Sequence, residues 1–265
     1  MNERRMKILE LVNTEQRLTV VQLAAAMNVS QVTIRKDLDY LESRGLLRRE
    51  HGAAVLDNSD DIQGRMAINY AGKLEIARAA AALVTGGETV MIESGSCCAL
   101  LAEELAAAQR GITVLTNSVF IAEHLRRFPE TRVILLGGEY QNQSQVLVGP
   151  LVRQNAEAFF VDKLFLGTDG FAPATGFSGK DLLRTEAVQA MARRAEKTII
   201  LTESHKFKRQ GVVAQFAVTD VHTVVTDSGI PPNTSAQLRQ NGVNLHIVET
   251  AIEPHGAARK EEETP

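Results

Sequence analysis

Two sets of residues in this 265-residue chain have the types and spacing to recognise an anion. The first lies within VSQVTIRKDLDYLESRG, residues 29–45. Ser30 suits a helix N-cap, and Ile34, Leu38 and Leu41 then fall on one side at helical spacing. Val32, Thr33, Lys36 and Tyr40 lie around the opposite side, a small, hydroxylated and basic surface that suits the major groove of duplex DNA. There Gln31 can pair bidentately with adenine, and Val32 and the Thr33 methyl can pack on thymine methyls. Ser30, beyond capping, and the cations Arg35 and Lys36 can reach phosphate, although Asp39 offers Arg35 an alternative partner at i,i+4. Arg4 and Arg5 upstream, with Arg48, Arg49 and His51 downstream, would extend the grip across the groove. Tyr40 either bonds the DNA backbone or covers the segment around Arg48.

The second set recurs after short apolar runs: Glu93-Ser94-Gly95-Ser96, Thr116-Asn117-Ser118, Gly137-Gly138-Glu139 and Gly167-Thr168-Asp169-Gly170. Ser94, Gly95 and Ser96 precede a predicted helix, where backbone N–H groups and hydroxyls can hold a phosphate. Lys206 can offset its charge, and Glu93, Asn117 and Asp169 can read hydroxyls. Plain strand-to-helix turns would use the same residue types, but four recurrences favour a crevice. Glu93, Asp169, Asp181 and Lys206 could also supply parts of a sugar-phosphate isomerase. With no Ser-His-Asp spacing, no metal cluster and six scattered histidines, binding without turnover is the preferred reading and isomerisation the alternative. No cofactor is expected.

These residues need elements to position them. A helix is predicted from about Asn2 to Asn13, and a second from near Thr19, where Thr19 and Gln22 fit a capping box. With the helix closed by Gly45, they make a helix-turn-helix. Leu46–Arg49 and Ala53–Leu56, joined by Glu50-His51-Gly52, read as a hairpin wing. Downstream, apolar runs at 89–92, 112–115, 133–136, 163–166, 198–201, 222–225 and 245–248 alternate with helices at 73–84, 96–108, 118–127, 150–159 and 185–195. That rhythm predicts an α/β fold whose largely parallel sheet is covered on both faces, Rossmann-like, with ligands at the carboxyl ends of its strands.

The expected organisation is a winged helix-turn-helix over 1–57, a linker over 58–72 centred on Asp57-Asn58-Ser59-Asp60-Asp61, a sensing and oligomerisation domain over 73–250, and a disordered tail over 251–265. Charge divides the same way. The first 56 residues carry nine Lys/Arg against seven Asp/Glu, and the rest 20 against 25, although the whole chain is at −3. The first twelve residues mix charges with apolar residues, so no signal peptide or membrane span is expected, and the location is expected to be cytoplasmic. Cys97 and Cys98 are adjacent, which suits neither a disulfide framework nor a zinc site; packing at a helix start outweighs redox sensitivity.

The stretch VSQVTIRKDLDYLESRGLLRREHGAA resembles the amino-terminal signature of the DeoR family of bacterial transcription regulators, VSxxTIRRDLxxLxxxGxLxRxHGGA, and the likeness extends over about residues 3–250. Lys36 stands for the usual arginine, which keeps the charge and loses the bidentate fork. Ala53 stands for a usual glycine and would stiffen the wing tip. The resemblance implies a sensor domain like ribose-phosphate isomerases and CoA-transferase folds, and a phosphorylated sugar or related metabolite as effector. The family's DxGTT aligns with Glu93–Cys97, TNS is intact at 116–118, and its paired glycines match Gly137 and Gly138. Its GxxG aligns with Gly167–Gly170, SSKF with Ser204–Phe207, and a family lysine with Lys73. Glu93 for aspartate and Cys97 for threonine put the ligand, more than the site, in doubt. The function so implied is a repressor of a carbohydrate uptake or catabolism operon, relieved by that effector. A single small module offers few DNA contacts, so a homodimer or homotetramer on double-stranded operator DNA is expected.

Overall fold

Ile8, Leu9 and Val12 bury one side of the first helix, α1 (Glu3–Glu15), which starts one residue later and runs two residues longer than the sequence implies. Strand β1 (Arg17–Thr19) leads into α2 (Val20–Met27), where the Thr19–Gln22 capping box closes in both directions, at 2.8 and 3.2 Å. Ser30 Oγ accepts from Thr33 N at 3.1 Å and starts α3 (Gln31–Ser43), whose Ile34, Leu38 and Leu41 are fully buried. Gly45, at φ +64, ends α3. Gly45 N donates to Glu42 O and Leu46 N to Leu41 O, which satisfies the last carbonyls. Strands β2 (Arg48–Glu50) and β3 (Ala53–Val55) form the wing, turned by His51 and Gly52 at φ +47 and +79. Two positive φ values in a two-residue loop match the strand twist. Ala53 is not at the tip: it is a buried residue of β3, paired with Glu50, so it fills core rather than stiffening the turn. The short β1 was not expected; it pairs with β3 to give the order β1-β3-β2.

The structure is a computed structural model and describes residues 1–55, 62–108 and 111–249. The expected acidic break at Asp57–Asp61 and the expected tail at 251–265 lie outside the described residues. The stretch read as linker contains a helix, α4 (Ile62–Ala67), and the first residues of α5 (Tyr70–Ala81). Ile62 and Met66, one turn apart on α4, are fully buried, and Gly64 between them weakens the helical signal in the sequence.

Beyond these lie β4 (Thr89–Ile92), α6 (Ser96–Ala107), β5 (Thr113–Thr116), α7 (Val119–His124), β6 (Arg132–Leu135), β7 (Glu139–Gln141), β8 (Val146–Val148), α8 (Pro150–Ala156) and β9 (Val161–Leu166). They are followed by β10 (Gly170–Ala172), β11 (Gly176–Gly179), α9 (Leu182–Ala192), β12 (Ala195–Leu201), β13 (Val213–Phe216), β14 (Thr223–Asp227), α10 (Pro232–Gln240) and β15 (Asn244–Val248). Seven strands form one parallel sheet in the order β15-β14-β12-β9-β4-β5-β6. Successive residues point to opposite faces. Val90 and Ile92 therefore join the apolar cluster of α5 and α6, while Met91 joins that of α8 and α9. The β7–β8 hairpin and the antiparallel sheet β10-β11-β13 are additions to the expected plan. At Gly176, φ +78, a Cβ would stand 2.3 Å from Phe216 O, so that corner admits glycine alone.

Charge also ties the elements. Asp37 of α3 is 1% exposed and accepts from Arg4 Nε at 2.5 Å and Arg5 Nε at 2.8 Å. Arg4 and Arg5, expected to serve phosphate, hold α1 to α3 through their Nε atoms. Further on, Glu103 of α6 accepts from Arg44 at the end of α3, from Arg127 Nη2 at 2.9 Å, and meets His124 Nε2 at 3.1 Å. Burial, with Arg127 and Arg44 beside it, pushes His124 down to about 3, so its contact with Glu103 is a hydrogen bond of the neutral ring.

Burial opposes the charge on Asp37, but the hydrogen bonds and charges of Arg4 and Arg5 outweigh it and hold the carboxyl below its usual range. Its contribution is therefore present above the unfolded-state value and lost as pH falls through the folded one. Asp37→Asn should cost about 2 kcal/mol at pH 7, less than the roughly 3–5 of a fully buried pair, because both arginines reach solvent. In thermal melts the gap from wild type should close on acidification. An unchanged gap at pH 3 would show that charge is not what the substitution removes.

Candidate functional site

One face of the amino-terminal module is exposed and basic. Gln31, Val32, Arg35 and Lys36 stand outward on the first two turns of α3, with Val32 59% exposed. Ser30 Oγ is 2.9 Å from Thr33 Oγ1 and accepts from Thr33 N, which joins the two side chains at the start of α3. Arg35 Nη2 donates to Gln31 Oε1 at 3.3 Å, not to Asp39. Asp39 instead takes Arg49, whose backbone N–H also donates to Glu42 Oε1 at 2.9 Å. Arg49, expected to reach phosphate, thus fastens the wing to α3. Arg48 and His51 remain on the exposed wing, Arg48 within 3.6 Å of Glu50. Tyr40, expected either to bond the DNA backbone or to cover the wing, is engaged by two arginines of the module. Its ring lies 3.7 Å beneath the Arg5 guanidinium, and its hydroxyl accepts from Arg44 Nη1 at 2.9 Å.

The second feature is a crevice of about 1310 Å³ at the carboxyl ends of the central strands. From β4 the chain winds to one edge through β5 and β6, and from β9 to the other through β12, β14 and β15. Neighbouring strands with opposite winding leave an opening above their ends. Glu93, Ser94, Gly95, Ser96 and Cys97 follow β4 into it, Gly167 and Asp169 follow β9, and Lys206 enters on the turn after β12. No side chain caps α6, whose first turn starts in this crevice.

The structure brings together only part of the expected set. Thr116, Asn117 and Ser118 end β5, one strand off the opening, and serve packing. Asn117 is 1% exposed with Nδ2 on Leu147 O at 3.0 Å, Thr116 Oγ1 accepts from Ser118 N, and Ser118 caps α7 while standing 3.4 Å behind Ser94 Oγ. Asn117, expected to read hydroxyls, does not line the crevice, and its Oδ1 is buried without a hydrogen-bond partner. Gly137 and Gly138 follow β6, two strands off; a Cβ at Gly138 would stand 2.7 Å from Val148 O, so this glycine allows a close backbone approach. Lys73 lines the crevice, but its ammonium is spoken for: it donates to Arg65 O and to Ile68 O, the latter at 2.5 Å, and pairs with Glu203 at 3.3 Å. It braces α4 on α5 rather than offsetting a ligand's charge.

Other lining residues carry no local pattern in the sequence. Arg65 of α4 presents Nε and Nη2 buried without a hydrogen-bond partner. Glu203, 7% exposed, accepts from Asn69 Nδ2 at 2.9 Å. Asp227 accepts from Ser204 N and Gly229 N at 2.7 and 3.0 Å. Asp181 caps α9 at Arg184, a signature the sequence does display. Arg65 fell in the expected linker, and Glu203 stands beside the Ser204–Phe207 motif without belonging to it.

Two family models match the chain: the DeoR-like helix-turn-helix domain over residues 4–60 and the DeoR C terminal sensor domain over residues 68–228. The chain belongs to the DeoR family. Similar proteins include the transcriptional repressor AccR of Agrobacterium fabrum, 31% identical over 86% of this chain and 90% of that protein. The HTH-type transcriptional regulator GolR of Listeria innocua is 30% identical over 93% of this chain and 98% of that protein. Among solved structures, ribose 5-phosphate isomerase A of Methanocaldococcus jannaschii is 20% identical and covers 52% of this chain and 55% of that one, with a TM-score of 0.39. This DeoR-family chain is a DNA-binding transcriptional regulator, which answers the isomerase alternative. Among the described residues no helix is long and apolar enough to cross a membrane.

The electrostatics of the DeoR-type crevice turn on burial. Burial pushes Glu93 up to about 7, against the Gly167 N–H at 3.4 Å and the charges of Arg65 and Arg184, with Asp169 adding to the rise. Burial likewise lifts the Cys97 thiol to about 12 and raises Cys98 well above its usual value, so both are packed thiols rather than reactive thiolates. Burial lowers Lys206, with Asp169, 3.7 Å away, opposing it.

A carboxyl raised in the folded state costs stability as pH climbs from its unfolded value through about 7. A shift of that size corresponds to roughly 3 kcal/mol. Glu93→Gln should therefore gain on wild type in thermal melts between pH 5 and pH 8.5. A stability difference that is flat with pH would show that Glu93 is ionised throughout.

Proposed function

We propose that the chain represses a carbohydrate uptake or catabolism operon and releases its operator when a phosphorylated sugar, or a close relative, fills the crevice. The observation that carries this reading is the crevice itself: an uncapped helix start and an orphaned buried guanidinium, Arg65, at the strand ends of a regulator's sensor domain. A relative from Lactococcus lactis, 28% identical over 91% of this chain and 97% of that protein, is named as the lactose phosphotransferase system repressor, which supports the carbohydrate reading. Residues 1–57 bind duplex DNA, and residues 73–250 sense the effector and self-associate.

Ser94, Gly95 and Ser96 receive the phosphate through the start of α6, with Arg65 and Lys206 supplying positive charge. Asp169 and Glu93 read hydroxyls, and Glu93, protonated by about half near pH 7, presents less repulsion than a full carboxylate. On DNA, Gln31, Val32 and Thr33 read bases, while Lys36, Arg35, Arg48, Ser30 and His51 meet the backbone.

Arg48→Ala should weaken binding to all duplex sequences alike and flatten its dependence on salt, whereas Gln31→Ala should change base preference. Selection from genomic fragments that yields no repeated motif would sink the DNA reading. For the effector, calorimetry with a panel of sugar phosphates should find one whose affinity drops at least tenfold in Ser96→Pro and in Arg65→Ala. Undiminished affinity in both would remove the phosphate from this site. Sedimentation of the full chain at tens of micromolar should show a dimer or tetramer; a monomer there contradicts the assembly.

A further inference from the structure

One wall of the crevice comes from the opposite end of the chain. Glu10, Asn13 and Thr14 of α1 line its mouth beside Arg65, Ile68 and Asn69. Spacings of three and four place all three on one side of α1. The neighbouring side, Ile8, Leu9 and Val12, is buried in the same apolar cluster as Ile62 and Met66 of α4. The same short helix, α4, turns Arg65 into the crevice with two nitrogens buried and without hydrogen-bond partners. At its other end α1 holds α3 through Arg4 and Arg5 on Asp37. One short helix thus seats the DNA-binding module and presents a guanidinium to the crevice.

The charge on this wall has the wrong sign for an anion. Glu10, about half exposed, is balanced by Lys7 at 2.9 Å, on the solvent side of α1. An anion drawn to Arg65 and the start of α6 places like charge before Glu10. We propose that α1 is a displaceable wall of the effector site: an anionic ligand and the seated α1 compete for the mouth of the crevice, and Glu10 sets the repulsion between them. This rests on the reading of the crevice as a site for a phosphorylated ligand. With α1 seated, Gln31, Val32, Arg35 and Lys36 all face solvent, so the seated arrangement leaves the DNA-reading face open. A ligand that favours the unseated arrangement draws on the same equilibrium that fixes α3, which couples its binding to the loss of DNA.

The test is calorimetry on the full chain with glucose 6-phosphate, ribose 5-phosphate, inorganic phosphate and unphosphorylated glucose, comparing wild type, Glu10→Lys and Glu3→Lys. Glu3 lies on the first turn of α1, outside the crevice, and gives the same change of charge. Glu10→Lys should tighten the phosphorylated probes at least fivefold and leave glucose unchanged, while Glu3→Lys stays within twofold of wild type. A second readout is alkylation of Asn13→Cys, against the low background of the buried Cys97 and Cys98; a saturating phosphorylated probe should speed it at least fivefold. Equal effects of Glu10→Lys and Glu3→Lys, or an alkylation rate that saturation leaves unchanged or slows, overturns the displaceable wall while the site stands. Absence of binding by every phosphorylated probe to every variant overturns the phosphorylated-ligand reading and this proposal together.

Discussion

The constraint on which the rest of the structure depends is the reversal of winding between β4 and β9. These strands are neighbours in the sheet, with Met91 opposite Leu164, yet they open the two halves of the chain that run to opposite edges. Their following segments leave in different directions, and the space above their carboxyl ends stays open. What stands there follows. Glu93 is drawn out of water and its charge becomes costly; α6 starts without a side-chain cap; a helix from outside the sheet, α4, is needed to close one side. One strand further out the opening is gone, and the same kinds of residue, Thr116 to Ser118, are buried outside the crevice.

The amino-terminal module is small, and charge does much of its fastening. Asp37 takes two arginines and Asp39 a third, and a further arginine, Arg44, reaches the body. The module's positive excess in the sequence therefore overstates what it offers to DNA. Cations that look alike along the chain divide by position: those opposite Asp37, Asp39 and Glu103 brace neighbouring elements, and those on the open turn of α3 and at Arg48 on the wing are exposed. Arginine suits the bracing role because its planar fork can serve a carboxylate and an aromatic face together, as Arg5 does between Asp37 and Tyr40.

Legibility tracked the range of the signal. Most of the helices are readable because each carries its own period of apolar residues, with local caps at Thr19, Ser30 and Gly45, and the seven parallel strands because each is a short apolar run between helices; α4 and the polar α10 carry no such signal. The strands β1, β7, β8, β10, β11 and β13 span three or four residues, stand outside the strand-and-helix rhythm, and pair antiparallel, β1 and β13 with partners more than 30 residues away. The crevice motifs were readable as strand ends, since hydroxyls and glycines gather where a strand turns into a helix. Which of them reach the opening depends on strand order, which no local pattern encodes; hence Asn117 and Gly138 were placed in the site and Arg65 and Glu203 were not. Lys73 and Arg49 show the same limit. Their residue types fit an anion, but carbonyls of α4 in one case and Asp39 in the other had already claimed them.

Glu103 bears on how such chains can diverge. It sits on α6, seven residues beyond the helix start in the crevice, a rigid span of about 10 Å, and gathers Arg44 from one module and Arg127 from the other. Arg44 and Glu103 thus meet across the two modules although they lie 59 positions apart. A hybrid regulator joined between residues 55 and 62 would receive each from a different parent. Unless both parents carry the same pair, Glu103 would keep Arg127 and His124 but lose the cation that reaches it from the amino-terminal module. A reading head grafted onto another sensor therefore has to carry this contact across the join.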